Sequence, residues 1–457
     1  MRVRIDSVGC RLNIGEAEHL ARALAADGHR VVGPGEAADL MVLNTCAVTH
    51  VASRKSRKLI RHWRRANPAA ALVVTGCYAE LSPDDVAALG VDLVVGNQDK
   101  DELPRILAEA GILCDAQVLP APDAFPLQPD GAAARLDGPL ARHHGARTRA
   151  FVKVQDGCDN RCTFCIVTVA RGDSRSRGLH EIVAEIHELV DAGYREAVLS
   201  GVHLGSYGHD HSDQEGLPRL VRAILDETAI PRLRLSSLEP WDLGPEFFSL
   251  WAEDPRLLPH VHLPLQSGCD ETLRRMARRT DQASFRALVN QARAAVPELS
   301  ITTDIIVGFP GESDMEFEAS VAFVEEMEFA KLHVFRYSPR EGTAAATMPG
   351  RVPPPVAQRR SKRMHGLGAV CEAGFKARFI GRTVPVLWES AEPRPECVRW
   401  SGLTGNYIRV VADTGEDIDL ANEITETRLI SELPGAVLGE AQISRPALRS
   451  TPLRYAG

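Results

Sequence analysis

At 457 residues, with 44% hydrophobic and 25% charged residues, the chain is long enough for two or three domains, each with a core of its own. No stretch reaches the apolar length needed to cross a bilayer, and the start, MRVRIDSVGC, lacks the apolar segment of a secretory leader, so a cytoplasmic protein with no membrane association is expected. Ten cysteines are too sparse for a disulfide scaffold, and a net charge of -8 excludes wholesale coating of nucleic acid while allowing a local basic face.

From the start, strand-like apolar runs alternate with amphipathic helical patterns: RVRIDSV, EAEHLARALAADG, DLMVLNT, ALVVTG and VDLVVG. That alternation predicts an α/β domain with a parallel sheet over residues 1–114. Cys10, Cys46 and Cys77 stand in SVGC, LNTC and VTGC, each at the C-terminal end of a predicted strand. In a parallel sheet such ends share one edge, where ligands bind, so the three are expected to be neighbours and to form a candidate iron–sulfur site. A lone strand-end cysteine is commonly core packing; three in equivalent positions point to a shared task. Shortly after Cys46, SRKSRKLIRHWRR sets Arg54, Lys55, Arg57, Lys58, Arg61, Arg64 and Arg65 on one predicted helix. Like charges without acidic partners repel one another, so an RNA backbone is the expected companion, a solvated helix face being the plainer alternative.

Residues 115–145, rich in Pro, Gly and Ala, read as a linker. A second β/α alternation, over 146–375, runs through RAFVKVQDGC, EAVLSG, RLRLSSLE, HVHLPLQSG, SITTDIIVGF and KLHVFRYS. Six units instead of eight predict a partial (β/α)6 barrel whose function sits at the strand C-termini. DGCDNRCTFCIV places Cys158, Cys162 and Cys165 just after the first of these strands. Thiolates suit iron–sulfur clusters and zinc. A structural zinc site wants a fourth Cys or His at regular spacing; none follows nearby, which leaves a distant His, or plain thiols in a turn, as alternatives. Three thiolates in one loop more naturally hold a [4Fe-4S] cluster with one iron open. VGFPGE lacks the Lys-Ser/Thr of a phosphate loop and reads as a strand-to-helix turn. After a helix near 355–378, TVPVLWE, GLTGNYIRVVAD and GAVLGEAQIS predict a small β-barrel over 376–445.

The CxxxCxxC loop on the first strand of a β/α repeat resembles the radical S-adenosylmethionine (SAM) enzymes. Through GCRLN, NTCAVT, VTGCYAE, QDGCDNRCTFCIVTVARG, SRSRG, LSGVHLGSYG, LSSLEP, LPLQSGCDETLRRM, TDIIVGFPGE and FRYSPREGTAA, nearly the whole chain is similar to the methylthiotransferases, a radical SAM group. The resemblance implies an N-terminal cluster domain, a central SAM domain and a C-terminal TRAM domain. It implies two [4Fe-4S] clusters: SAM would close the fourth iron position beside Cys158, Cys162 and Cys165 and give a 5'-deoxyadenosyl radical, and the second triad would hold the sulfur to be inserted. With barrel geometry it makes Ser200, Ser236, Glu239, Gln266, Ser267 and Asp304 candidate SAM contacts, each also plausible as a cap or turn residue. A TRAM face with Tyr407 and Arg409 would suit RNA by stacking and charge.

The implied reaction is methylthiolation at carbon 2 of a modified adenosine next to the tRNA anticodon, with an electron donor and a sulfur donor as further partners. GVHLGSYG, NTCAVT, FRYSPREGT and GNYIRVV look most like the branch acting on N6-threonylcarbamoyladenosine. The branches acting on N6-isopentenyladenosine and on a ribosomal-protein aspartate are alternatives; a non-catalytic RNA-binding protein with two structural zinc sites is the alternative of another class. Two departures from the family pattern, Thr168 for proline and Cys269 for serine, remove no cluster ligand.

Overall fold

The computed structural model describes residues 1–113, 148–211 and 216–443, so the predicted linker lies outside the described residues. Strands β1 (Arg2–Ser7), β2 (Arg30–Val31), β3 (Leu40–Thr45), β4 (Ala71–Gly76) and β5 (Leu93–Val95) form a parallel sheet in the order β2-β1-β3-β4-β5. Its central strand β3, LMVLNT, is buried at every position because helices cover both faces. Helices α1 (Arg11–Ala26) and α2 (His50–Ala66) start directly after the loops that leave β1 and β3. The strand order reverses between those two strands, and such a switch point opens a crevice at the strand C-termini.

The central domain contains the six predicted parallel strands: β6 (Arg149–Lys153), β9 (Glu196–Ser200), β10 (Arg232–Leu235), β11 (His260–His262), β12 (Ser300–Val307) and β13 (Lys331–Arg336). They form two ladders, β10-β9-β6 and β11-β12-β13, joined by the bridges Leu233 to Leu257 and Ser237 to His262. A short ribbon of β7 (Gln155–Asp156) and β8 (Arg175–Ser176) flanks them. The barrel is open between β13 and β6. Strand β6 turns Ala150 and Val152 into the main core, while Phe151 meets α1, where Gly15 allows a backbone-to-backbone approach: a Cβ there would stand 2.5 Å from the Phe151 carbonyl oxygen.

Strands β14 (Thr383–Pro393), β15 (Val398–Thr404), β16 (Arg409–Thr414), β17 (Ile424–Leu433) and β18 (Ala436–Ala441) close a barrel in the order β14-β15-β16-β18-β17 around Val386, Trp388, Trp400, Val410, Leu429 and Val437. GLTGNYIRVVAD, one of the segments that predicted this barrel, spans the β15–β16 hairpin. Tyr407 takes a φ of 71° at its tip, where the Ile408 N–H donates to Thr404 Oγ1 at 2.9 Å. That geometry turns Tyr407 inward and corrects its expected role on an RNA-facing surface. Its ring lies 4.6 Å from that of His260, and the Arg234 guanidinium stands 4.3 Å over it.

Candidate functional site

Cys10, Cys46 and Cys77 follow β1, β3 and β4, three adjacent strands, so the sheet brings them to one edge beside the switch point. Glycines make the approach possible. Gly9, at φ 122°, leaves room for Cys46, whose Cβ would lie 2.5 Å from a Cβ added there. Asn13 pins the loops by donating to the Val8 and Thr45 carbonyls at 2.9 and 3.1 Å, and its Oδ1 lies 3.6 Å from Cys10 Sγ. Burial pushes the Cys46 thiol up to about 11, with Cys10 and Cys77 adding to the shift.

The second triad sits where β6 and β7 deliver the chain to the barrel mouth. Gly157, at φ 71°, is the entry: a Cβ there would meet the Asp173 carbonyl oxygen at 1.8 Å. The Cys158 N–H donates to Gly172 O, and Thr163 is tied to Met276 and Arg275 through backbone carbonyls. Arg278, buried and ion-paired to Glu239 at 2.6 Å, reaches Cys162 Sγ at 3.6 Å and stacks 4.6 Å over Trp241. His203 bonds Asp242 and Asn160. Burial opposes its charge, but Asp242 and the Cys158 thiol outweigh that and raise it to about 10. Burial also pushes Cys165 up to about 12.

Among the described residues no group of three or more His, Cys, Asp or Glu side chains is closed around a single metal ion. Each triad is instead a set of neighbouring soft donors that sense one another's charge. Two three-thiol sets of this kind fit thiolate-bound clusters, whose iron would displace the thiol protons.

Between the triads lies a buried ionic network that crosses the domains. Arg171, six residues after Cys165 and 2% exposed, donates to Glu16 at 2.9 Å, Asp156 at 2.8 Å and Asn13 at 2.9 Å. Lys100 bonds Glu16 at 2.7 Å, and Lys153 bonds Asp101 at 2.7 Å. Burial favours a neutral Glu16, yet Arg171, Lys100 and Lys153 hold its carboxyl well below the usual range. The sequence reading missed Asn13, Glu16, Lys100, Arg171, His203 and Arg278. Only VARG, directly after the cysteine loop, offered a local signal for one of them.

The six candidate SAM contacts differ in what they already bond. Ser200, at the end of β9, donates to Val198 O at 3.3 Å, and Ser267 accepts the N–H of Cys269 at 3.3 Å. Glu239 is held by Arg278. Ser236, just past β10, has a buried hydroxyl without a partner. Gln266 takes a φ of 72° in the turn after β11, and Asp304, on β12, meets His262 at 3.4 Å.

On α2, Arg54, Lys55, Lys58, Arg61 and Arg65 are exposed and form no ion pair among the described residues. Arg57 donates to the Tyr78 hydroxyl at 3.3 Å. Arg64 is engaged by Gly90 O and Asp92. Arg340, from FRYSPREGT, donates to Val48 O at 3.2 Å and so joins the central domain to the Cys46 loop.

A partial barrel with a three-cysteine loop after its first strand defines a radical SAM protein, and residues 152–324 match the model of the Radical SAM superfamily. Residues 2–96 match that of the Uncharacterized protein family UPF0004. Threonylcarbamoyladenosine tRNA methylthiotransferase MtaB of Thermotoga maritima is 38% identical over 85% of this chain and 86% of its own. MtaB of Bacillus subtilis is 35% identical over 91% of each chain. The tRNA-2-methylthio-N(6)-dimethylallyladenosine synthase of Thermobifida fusca is 34% identical over 92% of this chain and 85% of its own. The chain belongs to the radical SAM tRNA methylthiotransferase family. SAM and [4Fe-4S] clusters are its cofactors. Among solved structures, the radical SAM methyltransferase TsrM of Kitasatospora setae shares the fold, with a TM-score of 0.54 and 16% identity over 76% of this chain and 77% of that one.

Proposed function

We propose that the protein replaces the hydrogen on carbon 2 of N6-threonylcarbamoyladenosine, at position 37 beside the anticodon of tRNA, with a methylthio group. The observation that carries this is the pair of cysteine triads, one on each of two domains that share the Arg171 network. The relatives named for that nucleoside, at 38% and 35% identity, support the substrate.

In this reading Cys158, Cys162 and Cys165 hold one [4Fe-4S] cluster with SAM, and Cys10, Cys46 and Cys77 hold a second, where sulfur is kept. With SAM held beside them, Cys158, Cys162 and Cys165 would carry the group that supplies radical chemistry, which would allow a ring hydrogen to leave as an atom without a strong base. Arg278 and His203 fix the positions of Cys162 and Cys158. Ser236, Gln266 and Asp304, with Glu239, border the space for SAM, while Ser200 and Ser267 hold the strand ends that shape it. Arg54, Lys55, Lys58, Arg61 and Arg65 follow the RNA backbone, with Arg57 beside them; Arg64 holds the helix in place. The functional divisions are 1–114, 146–375 and 376–445, and the reaction takes place in the cytoplasm with an electron donor and a sulfur donor.

Mass spectrometry of tRNA nucleosides from a deletion strain tests the substrate. Loss of the methylthio form of threonylcarbamoyladenosine is expected, and its persistence without a redundant enzyme sinks the proposal. Loss of the methylthio form of the dimethylallyl nucleoside instead would reassign the chain to that branch. In the purified enzyme, Cys162→Ala is expected to abolish SAM cleavage, whereas Cys46→Ala leaves cleavage measurable and stops sulfur insertion. Tightly held zinc and no iron after anaerobic reconstitution would favour the non-catalytic scaffold.

A further inference from the structure

Five guanidiniums crowd where α1, the foot of the open barrel and the β15–β16 hairpin meet. Glu196 takes Arg232 at 2.9 Å and Arg234 at 2.7 Å; Glu389 takes Arg149 at 2.5 Å and Arg409 at 2.7 Å. Two carboxylates are therefore shared by four cations. The fifth, Arg11, has no carboxylate partner among the described residues; its guanidinium stands 5.0 Å over the Tyr407 ring. The layer is also short of acceptors, since the buried Arg232 Nη2 and His260 Nδ1 have no hydrogen-bond partner.

Arg11 is not a remote surface charge. It follows Cys10 directly and is the first residue of α1. It lies within electrostatic reach of His260 and of His333, on the open edge strand β13. The His333 ring is 5.6 Å from that of His262, which already engages Asp304, the acid on this wall, at 3.4 Å. An exposed cation held at an aromatic face, in ion-pair contact with no carboxylate among the described residues and next in sequence to Cys10, is a seat for an anion.

We propose that Arg11 binds the carboxylate of the threonylcarbamoyl group, an inference that rests on the substrate proposed above. That carboxylate belongs to the substituent on N6, and the ring carbon bearing N6 is separated from carbon 2 by a single ring nitrogen. A group that grips it next to Cys10 therefore holds carbon 2 toward the Cys10, Cys46 and Cys77 triad. A dimethylallyl substituent has no charge to offer this guanidinium and forgoes the ion pair that the carboxylate would make, so one residue both positions the base and discriminates between the two nucleosides.

The test titrates cluster-loaded protein with anticodon stem–loops carrying threonylcarbamoyladenosine, its methyl ester or dimethylallyladenosine. The native protein is expected to bind the acid about tenfold to a hundredfold more tightly than the ester, the size of a charged hydrogen bond. Arg11→Gln is expected to bind acid and ester alike, at the native protein's affinity for the ester, with iron content and cluster spectra unchanged. Arg11→Lys is expected to keep part of the preference. Equal binding of acid and ester by the native protein overturns the proposal whether or not the variants fold. Equal loss of acid and ester in Arg11→Gln also overturns it, assigning Arg11 to support of the Cys10 loop. The substrate proposal fails by a different result, methylthiolation of the dimethylallyl stem–loop and not the threonylcarbamoyl one by the native enzyme.

Discussion

A Cβ on Gly157 would lie 1.8 Å from the Asp173 carbonyl oxygen, and no flexible side chain is there to yield. Gly157→Ala is therefore expected to displace the Cys158 loop and lose about half of the reconstituted iron, counted against the native protein. Arg171→Met would leave Glu16 and Asp156 buried without their shared cation. Losing one partner of such a network costs roughly 3–5 kcal/mol, so a clear drop in the thermal midpoint of the cluster-loaded protein is expected, with Arg171→Lys falling less. Glu18, on α1, is a buried carboxyl with one oxygen unpartnered; burial outweighs Arg22 and raises it to about 7. Its folded value exceeds the unfolded value of about 4.3, so the stability it contributes is complete below that and lost as pH rises through 7. Glu18→Gln is expected to raise the thermal midpoint at pH 8 more than at pH 5. The cysteines were legible because their type and spacing restrict their chemistry. Arg171 was not, because Glu16, its partner, is 155 residues away and neither carries a periodic signal.

Among the elements, short strand-like runs alternating with helical patterns located all six central strands. The tip of the C-terminal hairpin left little trace in the sequence for a physical reason. A left-handed Tyr407 makes the turn, and a bulky residue there carries none of the usual turn chemistry. Helix α2 read correctly as a helix, but its cations do unequal work. Arg64 ties the helix to Gly90 and Asp92, while Lys58 and Arg61 form no ion pair among the described residues. Lys58→Glu with Arg61→Glu is expected to weaken tRNA binding and flatten its dependence on salt, by a slope of about 0.9 for each lost phosphate contact. Arg64→Glu is expected instead to lower stability, measured as the thermal midpoint.

Across the whole molecule, the class of each part followed from its β/α or all-β pattern, but the seams between the parts did not, since they depend on single side chains from distant segments. Arg232 and Arg234 donate to the carbonyls of Leu403, Thr404 and Gly405, and Asn422 donates to Gly193 O at 2.8 Å, so the C-terminal barrel is bolted to the foot of the central one. Tyr407→Ala is expected to loosen this joint, read as faster amide exchange in the β15–β16 hairpin than in the core of the C-terminal barrel. The contact of Gly15 with Phe151 carries the same logic to the other seam. With no side chain between helix and strand, neither surface has slack with which to accommodate a foreign partner. Chimeras that exchange the N-terminal domain among relatives should assemble only when the incoming helix also keeps glycine at position 15.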